Sequence, residues 1–205
     1  MSEINPQLVK TLRDKTSAGM MDCKRALTEA GGDLEKAEDL LRKKGILKAG
    51  SKSSRATKEG VIASYIHMQG KVGVLVEINC ETDFVAKNDA FRDFVKDITL
   101  HIAASSPICV SREQVPASLV ARERDIAADQ VKGKPANIVE KIVDGKIDKY
   151  FAGVCLLDQP FIKNPDQTIE EFVKSKIAEL GENIVIRRFT RYMVGETIEG
   201  EKAAE

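Results

Sequence analysis

No apolar run in this 205-residue chain approaches the ~20 residues that a membrane-spanning helix requires, so no membrane partner is expected. The opening Met1-Ser2-Glu3-Ile4-Asn5-Pro6 lacks the basic and apolar regions of a secretory leader, which points to a soluble, cytoplasmic protein. Cysteine is sparse: Cys23, Cys80, Cys109 and Cys155 lie far apart and form no CxxC pair, the pattern of reduced structural thiols. The two histidines, His67 and His101, have no Cys or second His at metal-ligand spacing, so neither a zinc site nor a cofactor is expected. No GxxxxGK[ST], GxSxG or HExxH pattern occurs either. Acid pairs such as Glu170-Glu171 fall on exposed helix faces. His67 has apolar or cationic local partners, which suits a surface contact or a structural role better than a general base, so the chain is not expected to be an enzyme.

Net charge is zero, but only in sum. Residues 1–58 hold 13 Lys or Arg against 8 Asp or Glu, and the remainder holds 19 against 24. The basic excess is concentrated in Arg42, Lys43, Lys44, Lys48, Lys52, Arg55 and Lys58, which follow one another without an acidic residue. Such a run can attract nucleic acid. This one has no interleaved aromatics to stack on bases, and its Gly50-Ser51-Lys52-Ser53-Ser54 centre has linker composition. A solvated basic linker over residues 49–59 is therefore expected, with no direct nucleic-acid partner.

Hydrophobic residues make up 42% of the chain, enough to bury a core and build one domain with a small satellite. The satellite is a three-helix bundle over residues 1–48. Asn5 caps a helix with Pro6 at its first position, and Leu8, Val9 and Leu12 form its apolar stripe. A second helix from Met20 turns Cys23, Ala26, Leu27 and Ala30 inward and stops at Gly31-Gly32. Asp33 caps a third, with Leu34, Ala37, Leu40 and Leu41 on one face and Gly45 as its exit. This bundle is similar to a ubiquitin-associated domain. A unit of about 50 residues has little core to spare, so it presents a surface rather than enclosing a site. Met20 and Met21 are adjacent on a helix that turns about 100° per residue, so both cannot face the same core: either both pack between the bundle and the linker, or at least one faces solvent. A thioether there makes an adaptable contact.

Residues 60–195 read as an α+β domain, an antiparallel sheet packed with helices. Gly60 to Met68, the turn Gln69-Gly70-Lys71 and Val72 to Cys80 form a hairpin signature, with Val72, Val74, Val76, Ile78 and Cys80 on one face. Asn88 caps a helix reaching Ser105, with Phe91, Phe94, Val95, Ile98 and Ile102 along its stripe. Two further helices are expected between Pro116 and Lys132 and between Pro135 and Val154. Another starts after Thr168, with Glu171 at capping-box spacing, and stops at Gly181. Ile184 to Phe189 returns to the sheet as its last strand. The tail, residues 196–205, carries no core residues and is expected to fray.

Between the hairpin and the next helix lies Cys80-Glu81-Thr82-Asp83-Phe84-Val85-Ala86-Lys87-Asn88, a loop or short turn that places an aromatic at a junction. Phe84 is either a probe aimed at a partner or a cap folded back onto the core, and spacing leaves both open. This stretch, the upstream run from Leu8 to Leu27 and the downstream Gly181-Glu182-Asn183-Ile184-Val185-Ile186-Arg187-Arg188-Phe189 occur in one order. Together they resemble bacterial translation elongation factor Ts over nearly the whole chain, from about Ile4 to Gly195.

The resemblance implies a guanine nucleotide exchange factor that binds elongation factor Tu in its GDP-bound and nucleotide-free forms. It implies that Thr82, Asp83, Phe84 and Val85 enter the GTPase domain and disturb its Mg²⁺ and phosphate site. It further implies partner contacts through Arg13, Met20 and Met21 on the bundle, and through His67 and Lys96 on the core. Only one copy of the hairpin-to-TDFV unit is present, as in the short form of the family. A twofold homodimer, with residues 60–195 also serving as the dimerisation domain, is therefore expected.

Overall fold

The computed structural model describes residues 5–16, 18–132 and 135–197, without the side chains of residues 46–48 and 136–137. The opening Met1 to Ile4, the Lys48 side chain of the basic run and residues 198–205 of the expected tail lie outside that description. Two compact units share the chain: Met1–Gly60, Asn79–Arg92 and Glu171–Val185 form one, and Val61–Ile78, Asp93–Glu170 and Ile186–Glu205 the other.

The first unit begins with three helices whose ends obey local chemistry. Asn5 caps α1 (Pro6–Thr16), its Oδ1 accepting from the Gln7 amide at 2.9 Å. α2 (Met20–Glu29) closes in a Schellman motif: the Gly32 amide donates to the Leu27 carbonyl at 2.9 Å and the Gly31 amide to that of Thr28 at 3.3 Å. Gly31 stands at φ +64°, where a Cβ is strained. Asp33 then accepts from the Glu35 and Lys36 amides at 3.0 and 3.1 Å and starts α3 (Leu34–Gly50). Leu12, Cys23, Ala26, Leu27 and Ala37 are fully buried between the three.

α3 does not stop at Gly45. It continues to Gly50, and a Cβ added at Gly45 would stand 3.4 Å from that of Ala178, so this glycine permits a close approach instead of an exit. The following Ser51 to Arg55 is not a free tether. Lys52 Nζ donates to the Gly181 carbonyl at 2.6 Å, and the Ser53 and Arg55 carbonyls accept from Asn183 Nδ2 at 3.3 and 2.9 Å. Around these anchors Ser53, Ser54, Arg55 and Lys58 stay exposed.

β1 (Glu59–His67) and β2 (Val72–Cys80) form the expected hairpin, its turn placing Met68, Gln69 and Gly70 all at positive φ. On β2 the alternate residues Val72, Val74, Val76, Ile78 and Cys80 are all buried. α4 (Asp83–Lys87) and α5 (Asp89–Ser105) follow, the second capped by Asn88 Oδ1 accepting from the Ala90 amide at 2.8 Å. α6 (Ala117–Asp129) and α7 (Ala136–Val154) pack as a helical hairpin around Ala127, Val131, Val143 and Ile147. A small antiparallel pair absent from the sequence reading, β3 (Pro160–Phe161) and β4 (Asn164–Thr168), precedes α8 (Ile169–Leu180).

β5 (Val185–Met193) completes a three-stranded sheet in the order β1-β2-β5. Glu77 meets Arg188 at 2.7 Å, and the Lys71 carbonyl accepts from the Val194 amide at 2.9 Å, so β5 runs antiparallel to β2. The architecture is α+β, three N-terminal helices preceding an antiparallel sheet with helices.

Candidate partner-binding site

A helix of five residues has almost no stability of its own. α4 is held by polar anchors at its start. Thr82, extended at φ −129°, caps it by accepting from the Val85 amide at 3.4 Å. The Thr82 hydroxyl donates to Glu182 Oε1 at 2.6 Å, while Glu182 Oε2 accepts from the Glu81 and Thr82 amides at 3.1 and 3.0 Å. Glu81 answers with Oε1, which accepts from the Asn183 amide at 2.6 Å and from Arg55 Nη1 at 3.4 Å. Beneath the turn, the buried Cys80 thiol donates to the Thr82 carbonyl at 3.2 Å. Burial, and secondarily the Glu182 carboxylate, push its pKa up to about 11, so it stays a neutral thiol.

The helical turn divides its side chains. Ala86 is buried, and Phe84, two positions earlier and about 200° away around the helix, is 83% exposed. Phe84 is therefore no cap on the core, because Ala86 fills the inward place. Val85 is half-buried. Asp83 accepts from Lys87 Nζ at 2.7 Å, and that hydrogen bond holds its carboxyl below the usual carboxylate range. The exposed face of α4 thus offers a bare aromatic ring beside an ionised carboxylate already paired within the turn.

Elsewhere in the first unit, Arg13 is exposed on α1, and Met20 and Met21 both point outward at the start of α2, 56% and 67% exposed. His67 and Lys96 belong to the second unit, exposed on β1 and α5. The immediate partner of His67 is neither apolar nor cationic: its Nδ1 shares a 2.8 Å hydrogen bond with the Tyr65 hydroxyl, and the two rings stack at 5.5 Å. Strand alternation brings residues two apart onto one face. Glu182, Asn183, Glu81 and Arg55 were not read as site residues. Their partners lie 26 to 130 positions away along the chain, and no local pattern betrays such pairing.

Among the described residues no group of three or more His, Cys, Asp or Glu could hold a metal ion, and no helix is long and apolar enough to cross a membrane. The family model described as Elongation factor TS matches residues 47–196. A protein named Elongation factor Ts from a Cyanothece species is 57% identical over 99% of this chain and 78% of its own length. One of the same name from Citrifermentans bemidjiense is 56% identical over 96% of this chain and 94% of itself, and one from Thermodesulfovibrio yellowstonii 53% identical over 95% and 98%. Matches this extensive, to a model covering most of the chain and to relatives covered over 78–98% of their own length, place the chain in the elongation factor Ts family.

Proposed function

We propose that the chain is a cytoplasmic guanine nucleotide exchange factor for elongation factor Tu, and that α4 is its wedge. The observation that carries this reading is Phe84, 83% exposed on a turn fixed by Glu182. A GTPase holds GDP through a phosphate loop and a Mg²⁺ ion that demands near-octahedral geometry, so small displacements loosen it. Phe84 enters an apolar pocket of the GTPase domain with Thr82, Asp83 and Val85 at its flanks, and the resulting shift disturbs that geometry.

One ring is not enough. Accelerating GDP release about a thousandfold takes about 4 kcal/mol of transition-state stabilisation, whereas burying a Phe contributes roughly 1.5–3 kcal/mol. In this reading Arg13, Met20 and Met21 on the bundle of residues 1–48 add contacts, joined through residues 49–59 to the domain of residues 60–195, where His67 and Lys96 add more. By linkage, a factor that weakens GDP binding is itself weakened by GDP to the same degree.

We further infer a twofold homodimer engaging two partner molecules. The sheet has one buried face, and on its other face Ile62, Ile66, Leu75 and Tyr192 are each more than half exposed. Such an apolar surface suits self-association. A monomer by light scattering at micromolar concentration contradicts the dimer. For exchange itself, binding of the full chain to nucleotide-free and GDP-bound elongation factor Tu is compared. Much tighter binding to the empty form is expected, and equal affinity for both overturns the reading.

A further inference from the structure

The exchange reading leaves Glu182 without a role, yet three donors from two successive residues converge on its carboxylate: the Glu81 amide, the Thr82 amide and the Thr82 hydroxyl. Both oxygens are engaged, so the Glu81-Thr82 segment cannot rotate without losing this clasp. Glu81 binds back to the Asn183 amide, closing the loop between the two segments. α4 buries only Ala86 and is too short to persist alone, so its N-cap is fixed from outside. We propose that Glu182 is a positioning residue for nucleotide exchange, holding α4 preformed so that Phe84 is presented in one orientation. This rests on Phe84 acting as the wedge.

A loosened α4 still carries Phe84, and binding to the partner can re-form it. The consequence is a penalty on apparent affinity, set by the fraction of molecules with α4 formed, and not on the release rate at saturation. The test is release of a fluorescent GDP analogue from elongation factor Tu, titrated with full-length wild type, Glu182→Ala, Glu182→Gln, Phe84→Ala and the Phe84→Ala/Glu182→Ala double variant. If the formed fraction falls to about a tenth, the half-saturating concentration of Glu182→Ala rises about tenfold with its maximal rate nearly kept. Glu182→Gln, which keeps shape and can still accept from both amides but without the charge, falls between. Adding Glu182→Ala to Phe84→Ala costs clearly less than adding it to wild type, and the Thr82 amide exchanges hydrogen faster in both Glu182 variants. A wild-type titration for Glu182→Ala, or an equal penalty in the Phe84→Ala background, overturns the assignment. If Phe84→Ala alone matches wild type, the wedge fails, and the Thr82 amide decides the clasp: faster exchange supports it, unchanged exchange overturns it.

A separate observation in the second unit concerns Cys109 and Cys155. They pair across a parallel bridge, with the Leu156 amide donating to the Cys109 carbonyl at 2.9 Å and the Ile108 amide to the Val154 carbonyl at 2.9 Å. Strand spacing of about 4.7–4.9 Å falls within the Cα separation that a disulfide spans. Their sulfurs stand 3.7 Å apart as free thiols, Cys109 partly exposed and Cys155 buried. We propose that this pair is an oxidation site for small-molecule disulfides, closing the base of the α6–α7 hairpin. The Cys109 thiolate attacks one sulfur of the reagent and displaces one thiolate. Cys155 then attacks Cys109 Sγ and displaces the second thiolate, which leaves carrying the Cys155 proton, so two thiols are oxidised as one disulfide is reduced. Full-length protein is treated with oxidised glutathione at mildly alkaline pH and mapped by mass spectrometry. A Cys109–Cys155 cross-linked peptide lacking two hydrogens, a raised Tm and reversal by dithiothreitol are expected, with Cys155→Ala stopping at a Cys109 adduct. An adduct without cross-link in the wild type, or no reaction, overturns the proposal.

Discussion

Phe84 and Phe91 lie on adjacent helices of the same compact unit and are used in opposite ways. Phe91, on α5, is fully buried, while Phe84, on α4, is 83% exposed. The difference follows from how each helix is held. α5 spans Asp89–Ser105 and buries a stripe of Phe91, Phe94, Ile98 and Ile102, so its aromatics stabilise the fold. α4 spans Asp83–Lys87 and is fixed by Glu182 and the Thr82 cap, which frees its aromatic from structural duty. Polar anchoring of a short element lets an apolar side chain remain in solvent.

The contrast is broken most sharply by truncating both rings. Phe91→Ala is expected to cost about 3–5 kcal/mol in urea unfolding, as fully buried Phe residues do. Phe84→Ala should stay within about 0.5 kcal/mol of wild type. The same opposition applies to the two faces of β2: Val76→Asp forces a charge into the buried face and should prevent folding, whereas Leu75→Asp on the outer face should keep the fold and shift the proposed homodimer to a monomer in light scattering.

His101 sharpens the comparison on the polar side. It is fully buried, its Nε2 shares a 2.9 Å hydrogen bond with Gln159 Oε1 and its Nδ1 accepts from the Ile162 amide at 3.3 Å. Burial lowers its pKa. The unfolded chain takes up this proton near about pH 6.5 while the folded chain does not, so stability falls as pH drops through that value. The urea midpoint, measured from neutral to mildly acidic pH, should decline more steeply for wild type than for His101→Gln. Smallest of all is Lys87→Ala. It removes an exposed pair with Asp83 and should leave Tm unchanged within error.

What could be read from the sequence was what local periodicity encodes. The alternation on β2, the stripe on α5 and the caps at Asn5, Asp33 and Asn88 all stand where they were expected. The β3–β4 pair escaped because Asn164-Pro165-Asp166-Gln167-Thr168 is polar, contains proline and has no apolar alternation. Gly45 resembled a helix stop, since the approach of Ala178 is invisible along the chain. The loop carrying Phe84 was legible as a motif, but its exposure depended on which residue of the turn faced inward. Glu182 was legible only as part of a resemblance, because its hydrogen bonds reach back about a hundred positions.

The most direct test is release of a fluorescent GDP analogue from elongation factor Tu by wild type and Phe84→Ala, at saturating factor and fixed Mg²⁺. The account predicts that wild type accelerates release and that the variant, with an unchanged melting curve, is much slower. Equal acceleration by both contradicts the wedge, and no acceleration by wild type contradicts exchange altogether.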